Sequence, residues 1–237
     1  MKRVRHAMVQ AAGRGLRLRP LTETMPKPLI EVGGRSLLDR ALDRFADLDL
    51  VVVNSHHLAD RVGAHLKARP SPPTFLSVED VLLDTGGGTR AVLDRLGPDP
   101  FFVSSSDILV TPGPGGSELE RLQDAWDDGR MDALILVQPR DRAGGFVLPG
   151  DFNLDSDGRP IRRGAAPQAD VIYASTQLVH PRLFEGAPEG PFSFNLLWDK
   201  AIAAGRLFAV VHDGGWYTVD TLENFSAASA WLACHGG

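Results

Sequence analysis

The stretch Ala11-Ala12-Gly13-Arg14-Gly15-Leu16-Arg17-Leu18-Arg19-Pro20-Leu21-Thr22, with Pro26-Lys27-Pro28 close behind it, decides how the rest of the chain is read. It follows a short run, Ala7-Met8-Val9-Gln10, that predicts a first strand. Small residues and glycines at a strand end let backbone approach a ligand closely. Successive N–H groups in such a turn can cradle an anion. Arg17 and Lys27 place positive charge beside that cradle, so the stretch reads as a phosphate site, and the phosphate expected is a nucleotide's. Gly13-x-Gly15 by itself is less specific. No Gly-Lys-Ser/Thr follows to make a phosphate loop of the nucleotide-hydrolase kind, and Leu18 stands where a dinucleotide fingerprint needs a third glycine.

The chain around it alternates strand and helix. Ser36-Leu37-Leu38-Asp39 resembles a helix-capping sequence and predicts a helix to about Leu48, with Leu38, Ala41, Leu42 and Phe45 on one face. Leu50 to Val53 is a continuous apolar run, as in a parallel strand covered on both faces. A helix over Leu58 to Ala68 follows, then a strand at Thr74 to Val78 and a helix from about Thr89 to Leu96, after Gly86-Gly87-Gly88. A strand at Phe101 to Val103 leads to Asp107, before a helix near Glu118 to Asp127 and a strand at Ala133 to Val137. This rhythm predicts a three-layer α/β/α domain with a mixed, mostly parallel sheet and ligands beyond the C-terminal strand ends. From Gly144 the pattern changes to a hairpin (Phe152 to Leu154 with Pro160 to Arg162), strands at Val171 to Val179, Leu207 to Val211 and Trp216 to Val219, and helices at Leu196 to Ala204 and Asn224 to Ala233. One domain over 1–237 is expected, in two halves at 1–140 and 141–237, the second extending the same sheet as a lid over a substrate.

Composition narrows the classes. The chain carries 25 Lys and Arg against 30 Asp and Glu, a formal net charge of −5. That argues against a nucleic-acid binder with a broad basic face. The single cysteine, Cys234, rules out an intrachain disulfide framework and suits a reducing cytoplasm. The basic start of the chain is followed too soon by Arg14, Arg17 and Arg19 to be a secretory signal. No apolar run approaches the roughly 18 residues of a membrane span. His56-His57 is not read as a metal pair, because adjacent side chains point apart.

The longer string is more specific. Ala11-Ala12-Gly13-x-Gly15-x-Arg17-x-x-Pro20-Leu21-Thr22 with Pro26-Lys27-Pro28-Leu29 resembles the N-terminal signature of sugar-1-phosphate nucleotidyltransferases. Leu83-Asp84-Thr85-Gly86-Gly87-Gly88, Asp107, Gly150-Asp151-Phe152, Pro191 to Asn195, Ala201 to Leu207 and Trp216 continue the likeness in order. The branch it is most similar to is that of the short N-acetylmuramate-1-phosphate uridylyltransferases of cell-wall recycling. The resemblance implies a reaction of a nucleoside triphosphate, with UTP first in expectation, and a sugar 1-phosphate to give nucleotide-sugar and pyrophosphate. It implies Arg17 and Lys27 as catalytic groups on the triphosphate, and Ala11, Ala12, Gly13, Gly15, Gly86 and Gly87 as nucleotide contacts. Gly86 and Gly87 would leave room beside base or ribose. Asp107 would hold Mg²⁺, and Ser105, Asp151, Tyr173 and Ser175 would form the sugar side.

The chain also departs from the family pattern. The family's second carboxylate comes from a Trp-x-Asp-x-Gly-Thr string, but here Trp216-Tyr217-Thr218-Val219-Asp220-Thr221 puts Thr218 at the acidic place and Asp220 at the glycine place. In a continuing strand Asp220 would lie about 6.6 Å from the usual position. Without a bulge or a shift of the metal it would not simply replace the missing ligand, and it would oppose bound phosphates; with one, Asp220 joins Asp107 as a second metal residue. Leu16, Gln10, Ser105 and Ser175 depart too, the last standing where a glycine is usual. These changes keep a second expectation open, a catalytically weakened nucleotide or nucleotide-sugar binding protein. The same reaction with another base or with mannose, glucose or heptose 1-phosphate, or phosphocholine, is a third.

Overall fold

The computed structural model describes residues 3–235. Met1 and Lys2 of the basic start lie outside the described residues, as do 236–237. Strand β1 (His6–Gln10) runs into the glycine loop, a 3-10 turn at Leu16–Leu18 and helix α1 (Leu21–Thr24). The small hairpin β2 (Glu31–Val32) and β3 (Arg35–Ser36) leads into α2 (Leu37–Arg44). Then come β4 (Leu50–Ser55), α3 (Ala59–Lys67), β5 (Thr74–Val78), α4 (Asp84–Arg90), α5 (Leu93–Leu96) and β6 (Phe101–Ser105). Next are β7 (Ile108–Val110), α6 (Glu118–Ala125), β8 (Ala133–Pro139), β9 (Ala143–Gly144) and the hairpin of β10 (Phe152–Leu154) and β11 (Pro160–Arg162). The chain closes with β12 (Val171–Val179), α7 (Phe194–Ala203), β13 (Leu207–Val211), β14 (Trp216–Thr218) and α8 (Leu222–His235).

Nine strands form the main sheet, in the order β11-β10-β12-β6-β1-β4-β5, with β8 beside β12 and β13 beside β8. β1, β4, β5 and β6 are mutually parallel, while β12 runs antiparallel between β6 and β8. The apolar runs explain the layering. Ala7, Val9, Val51 and Val53 face α2, α3 and α6, whereas Met8, Val52 and Val103 face α5 and α7 in a separate cluster. Alternation along each strand thus feeds two cores, as the uninterrupted hydrophobicity of buried parallel strands requires. A three-stranded sheet, β7-β14-β9, branches off, and α8 packs Ala228 with Leu109, Tyr217 and Val219 in a third core.

Local signals hold with adjusted ends. Ser36 caps α2 by accepting from the Asp39 N–H at 3.0 Å, but the helix stops at Arg44, short of Leu48. The larger difference is α4, which begins at Asp84 and contains the three glycines. Glycine is a poor helix former, yet here it lets the helix backbone lie directly on the 190–192 segment. The Gly86 and Gly87 N–H groups both donate to the Phe192 carbonyl, at 2.9 and 3.0 Å. Among the described residues no helix is long and apolar enough to cross a membrane.

Candidate active site

Beyond the C-terminal ends of β1, β4 and β6 lies a cleft of about 640 Å³. It gathers Ala11, Ala12, Gly13, Gly15, Arg17, Lys27, Ser105, Asp107 and Asp220 on its walls, with Leu16 at the same rim. Gly15 has φ +60°, and a Cβ there would stand 2.8 Å from Thr22 Cγ2 and 3.1 Å from Lys27 Cβ. Gly13 is different: a Cβ would meet nothing within 4 Å. Gly15 therefore shapes the loop, whereas Gly13 leaves space for a ligand. Gly15→Ala is expected to cost about 1–3 kcal/mol in urea unfolding. Gly13→Val should leave the melting temperature unchanged while weakening nucleotide binding in calorimetry by on the order of tenfold, the loss of about 1.4 kcal/mol.

The loop's N–H groups divide in use. Ala11 N donates to Asn54 Oδ1 at 2.8 Å, so it is not part of an anion cradle, which corrects the expectation for that residue's N–H. Ala12 and Gly13 N–H groups have no acceptor among the described residues. Asn54 is itself held by Glu79, its Nδ2 donating to Oε1 at 2.7 Å, and the Leu83 N–H donates to Glu79 Oε2 at 3.0 Å. Gln10 Nε2 donates to the Thr85 carbonyl at 2.9 Å, tying β1 to α4. Asn54 and Glu79 both line the cleft and escaped the sequence reading. The available signal was their place just past apolar strands, where α/β sheets present ligand-facing groups.

Lys27 is the centre of the charged wall. Pro26 and Pro28 flank it in a 3-10 turn, and their fixed backbone angles aim the side chain inward. Its Nζ donates to Asp107 Oδ2 at 2.5 Å and to Asp220 Oδ1 at 2.6 Å, and Arg17 pairs with Asp220 Oδ2 at 3.2 Å. Burial alone would pull the Lys27 ammonium down; the two carboxylates outweigh it and hold its pKa above the ordinary lysine value. Burial likewise would raise Asp220, but Lys27, then Arg17 and the Thr218 hydroxyl, hold it below the usual carboxylate range.

The convergence of Asp107 and Asp220 follows from strand pairing. β14 lies antiparallel to β7 with Thr218 opposite Ile108. The strand ends there, and the Val219 N–H donates to the Asp107 carbonyl at 2.9 Å. Asp220 is then past the strand and free to turn toward Asp107. The expectation of an offset of two strand positions fails because no strand continues through Asp220. Asp220 there pairs with both cations, Lys27 and Arg17.

Other expected residues separate from this wall. Gly86 and Gly87 open no space for a base: a Cβ on Gly86 would stand 2.4 Å from the Phe192 ring, and one on Gly87 2.3 Å from the Gly190 carbonyl oxygen. Asp151 and Tyr173 also leave the cleft. Asp151 Oδ2 accepts the Tyr173 N–H at 2.8 Å, and burial raises its pKa despite that bond. It borders a separate recess of about 310 Å³ with Arg162, Arg163 and Asn195. The Tyr173 ring packs edge-on against Trp198 at 4.6 Å. Both are therefore corrected from sugar contacts to packing groups of the β10–β12 junction. Ser175 sits in a bulge of β12 with φ +56°, so the serine carries a conformation that a glycine adopts without strain. Ser175→Gly is expected to gain up to about 1 kcal/mol and raise the melting temperature by about 2–4 °C in calorimetry. His56 and His57 point to different partners, the Glu79 and Thr22 carbonyls, at 2.8 and 2.9 Å.

A mostly parallel α/β sheet whose strand ends carry a glycine loop, two cations and two carboxylates defines a protein of the nucleotide-handling class. The chain belongs to the MobA-like NTP transferase domain family, whose model matches residues 7–213. It is 38% identical over 234 residues to N-acetylmuramate alpha-1-phosphate uridylyltransferase of Caulobacter vibrioides, with 96% of each chain covered. It is 52% identical over 227 residues to UTP–glucose-1-phosphate uridylyltransferase AglF of Haloferax volcanii, covering 89% of this chain and 88% of the relative. Among solved structures, UDP-glucose pyrophosphorylase complexed with UDP-glucose superposes with a TM-score of 0.81 at 14% identity, over 98% of this chain and 99% of that one. That likeness establishes the three-layer nucleotide-diphospho-sugar transferase fold. The family and its relatives establish nucleotidyl transfer as the class of reaction.

Proposed function

We propose that the chain transfers a uridylyl group from UTP to N-acetylmuramate α-1-phosphate, releasing pyrophosphate. The observation that carries the chemistry is the convergence of Lys27, Arg17, Asp107 and Asp220 beside the unpaired N–H groups of Ala12 and Gly13. The substrate choice is supported by the relative that matches 96% of this chain along 96% of its own length. A second relative that uses UTP supports the base.

In this reading a phosphate oxygen of the sugar 1-phosphate attacks the α-phosphorus of UTP. A new P–O bond forms, the bond between the α-phosphorus and the bridging oxygen breaks, and pyrophosphate leaves with that oxygen and its electron pair. The attacking phosphate is already ionised, so no side chain need act as a base. The protein's tasks are alignment of two anions and stabilisation of charge moving onto the leaving group. Ala12 and Gly13 would donate to the triphosphate, and Arg17 and Lys27 would hold the oxygens that become pyrophosphate.

The wall is formally neutral, with two cations matched by two carboxylates. A triphosphate bound there brings an excess of negative charge that a divalent cation would balance. Among the described residues no group of three or more His, Cys, Asp or Glu converges. Asp107 and Asp220, both within reach of the same Nζ, fit Mg²⁺, which binds through one or two carboxylates plus substrate phosphates and waters. Mg²⁺ held by these two would supply charge neutralisation for the phosphates. Lys27 and Arg17 would then be released from their carboxylate partners to face the nucleotide.

Pyrophosphate release measured with UTP, CTP and GTP against N-acetylmuramate, glucose and mannose 1-phosphates tests the proposal. UTP with N-acetylmuramate 1-phosphate is expected to give the highest kcat/KM. A higher value for any other pair overturns the substrate assignment. Absence of turnover with every pair, alongside UTP binding in calorimetry, would instead identify a nucleotide-binding protein of the same fold.

A further inference from the structure

The cleft reaches the end of β6 at Ser105, and what fixes that strand against β12 comes from behind the sheet. Arg44, at the end of α2, has a side chain only 14% exposed and paired with the still more buried Glu118. Its guanidinium makes bonds to three elements: Nε to Glu118 Oε1 at 2.7 Å, one terminal nitrogen to Ser104 Oγ at 2.9 Å, and the other to Thr176 Oγ1 at 2.8 Å. The two hydroxyls are fully buried and lie 3.1 Å apart, opposite each other across β6 and β12. A planar fork of fixed donors suits such a bridge; a lysine could not hold all three partners at once.

The bridge lands on an irregular piece of strand. Between Tyr173 and Gln177 the pairing of β12 with β8 shifts register. Ser175 takes its left-handed conformation inside this bulge, half-buried between the buried Ala174 and Thr176. A second clamp grips the other side, where the buried Trp216 indole N–H donates to the Ala174 carbonyl at 2.9 Å. A residue in a sparsely populated backbone region persists only where its surroundings over-determine it. Here Arg44 and Trp216 do so from both sides of Ser175. β12 runs antiparallel to β6, so this bulge lies just beyond the end of β6, beside Ser105 on the cleft wall. It is the side away from β4 and β5, whose ends carry Asn54 and Glu79.

We propose that Arg44 is a positioning residue for the acceptor half of the site, holding the β12 bulge against β6 through Ser104 and Thr176 so that Ser105, on the cleft wall, meets the sugar 1-phosphate. The proposal rests on the nucleotidyl-transfer reading above. It assigns acceptor affinity to a side chain that touches no substrate.

Deleting the guanidinium would strand the buried Glu118, so the test uses milder changes. Thr176→Val removes the hydroxyl that bonds Arg44 and Ser104 and keeps the shape, and Arg44→Lys keeps a cation for Glu118. Each is expected to raise KM for the sugar 1-phosphate about tenfold while KM for UTP stays within about twofold, as a displacement well under 1 Å at a reacting group suffices for such losses. Amide exchange at 173–177 should accelerate by about tenfold in Thr176→Val, the effect of losing about 1.4 kcal/mol of local stability with the hydroxyl's hydrogen bonds. Unchanged KM values with a lowered melting temperature would mean Arg44 only stabilises the fold, and equal rises in both KM values would mean it acts on the whole site. Either result overturns this inference while leaving the proposed reaction standing. A wild-type chain that turns over no sugar 1-phosphate overturns both.

Discussion

Lys27→Ala is expected to lower turnover on the order of 100- to 1000-fold, the loss typical of removing one preorganised group aimed at developing charge. The size follows from the surroundings of the amine. It is nearly buried between two carboxylates and its turn is set by flanking prolines. The turn therefore fixes where the ammonium stands, and exchange of its carboxylate partners for phosphate oxygens is the change that remains. Lys27→Arg should rescue little, because the Nζ sits in a slot between Asp107 and Asp220 and a planar guanidinium does not replace a point charge there. Steady-state kinetics together with a thermal melt checks this. Turnover within threefold of wild type in a folded Lys27→Ala variant would remove lysine from the reaction.

The second large effect concerns the carboxylates, and its sign matters. If Asp220 opposed bound phosphates, neutralising it would raise activity. The geometry argues the opposite, since Asp220 holds both Lys27 and Arg17 and lies beside Asp107. Asp107→Asn and Asp220→Asn are each expected to reduce turnover on the order of 100-fold, the scale of losing one charge partner for the phosphates. Both should raise the Mg²⁺ concentration needed for half-maximal rate. A magnesium titration of each variant at saturating UTP reads both quantities. Faster turnover in Asp220→Asn would return Asp220 to the role of an intruding charge. A fall in Asp107→Asn alone would leave a single carboxylate for the metal.

Much of the fold was legible because it depends on local pattern. The run Leu50 to Val53 has no polar alternation, and such a strand is stable only with both faces covered. Ser36 before Leu37 announces a helix start, and it caps as its side chain predicts. The triple glycine was misread for the converse reason. Its propensity argues against helix, and only the backbone of residues 190–192, remote in sequence, makes a helix without side chains the best fit there.

The sequence by itself determined the mostly parallel sheet and the glycine loop with its adjacent cations from Ala11 to Lys27, since apolar periodicity, glycines and adjacent charge act over a few residues. Tertiary structure decided which of those groups form the site. It spent the Ala11 N–H on Asn54 and withdrew Gly86, Gly87, Asp151 and Tyr173 into packing. By ending β14 at Thr218 against β7, it brought Asp220 to Asp107. Side-chain convergence depends on the register between segments far apart in the chain. That register is set by the packing of whole elements, which no short stretch of residues encodes.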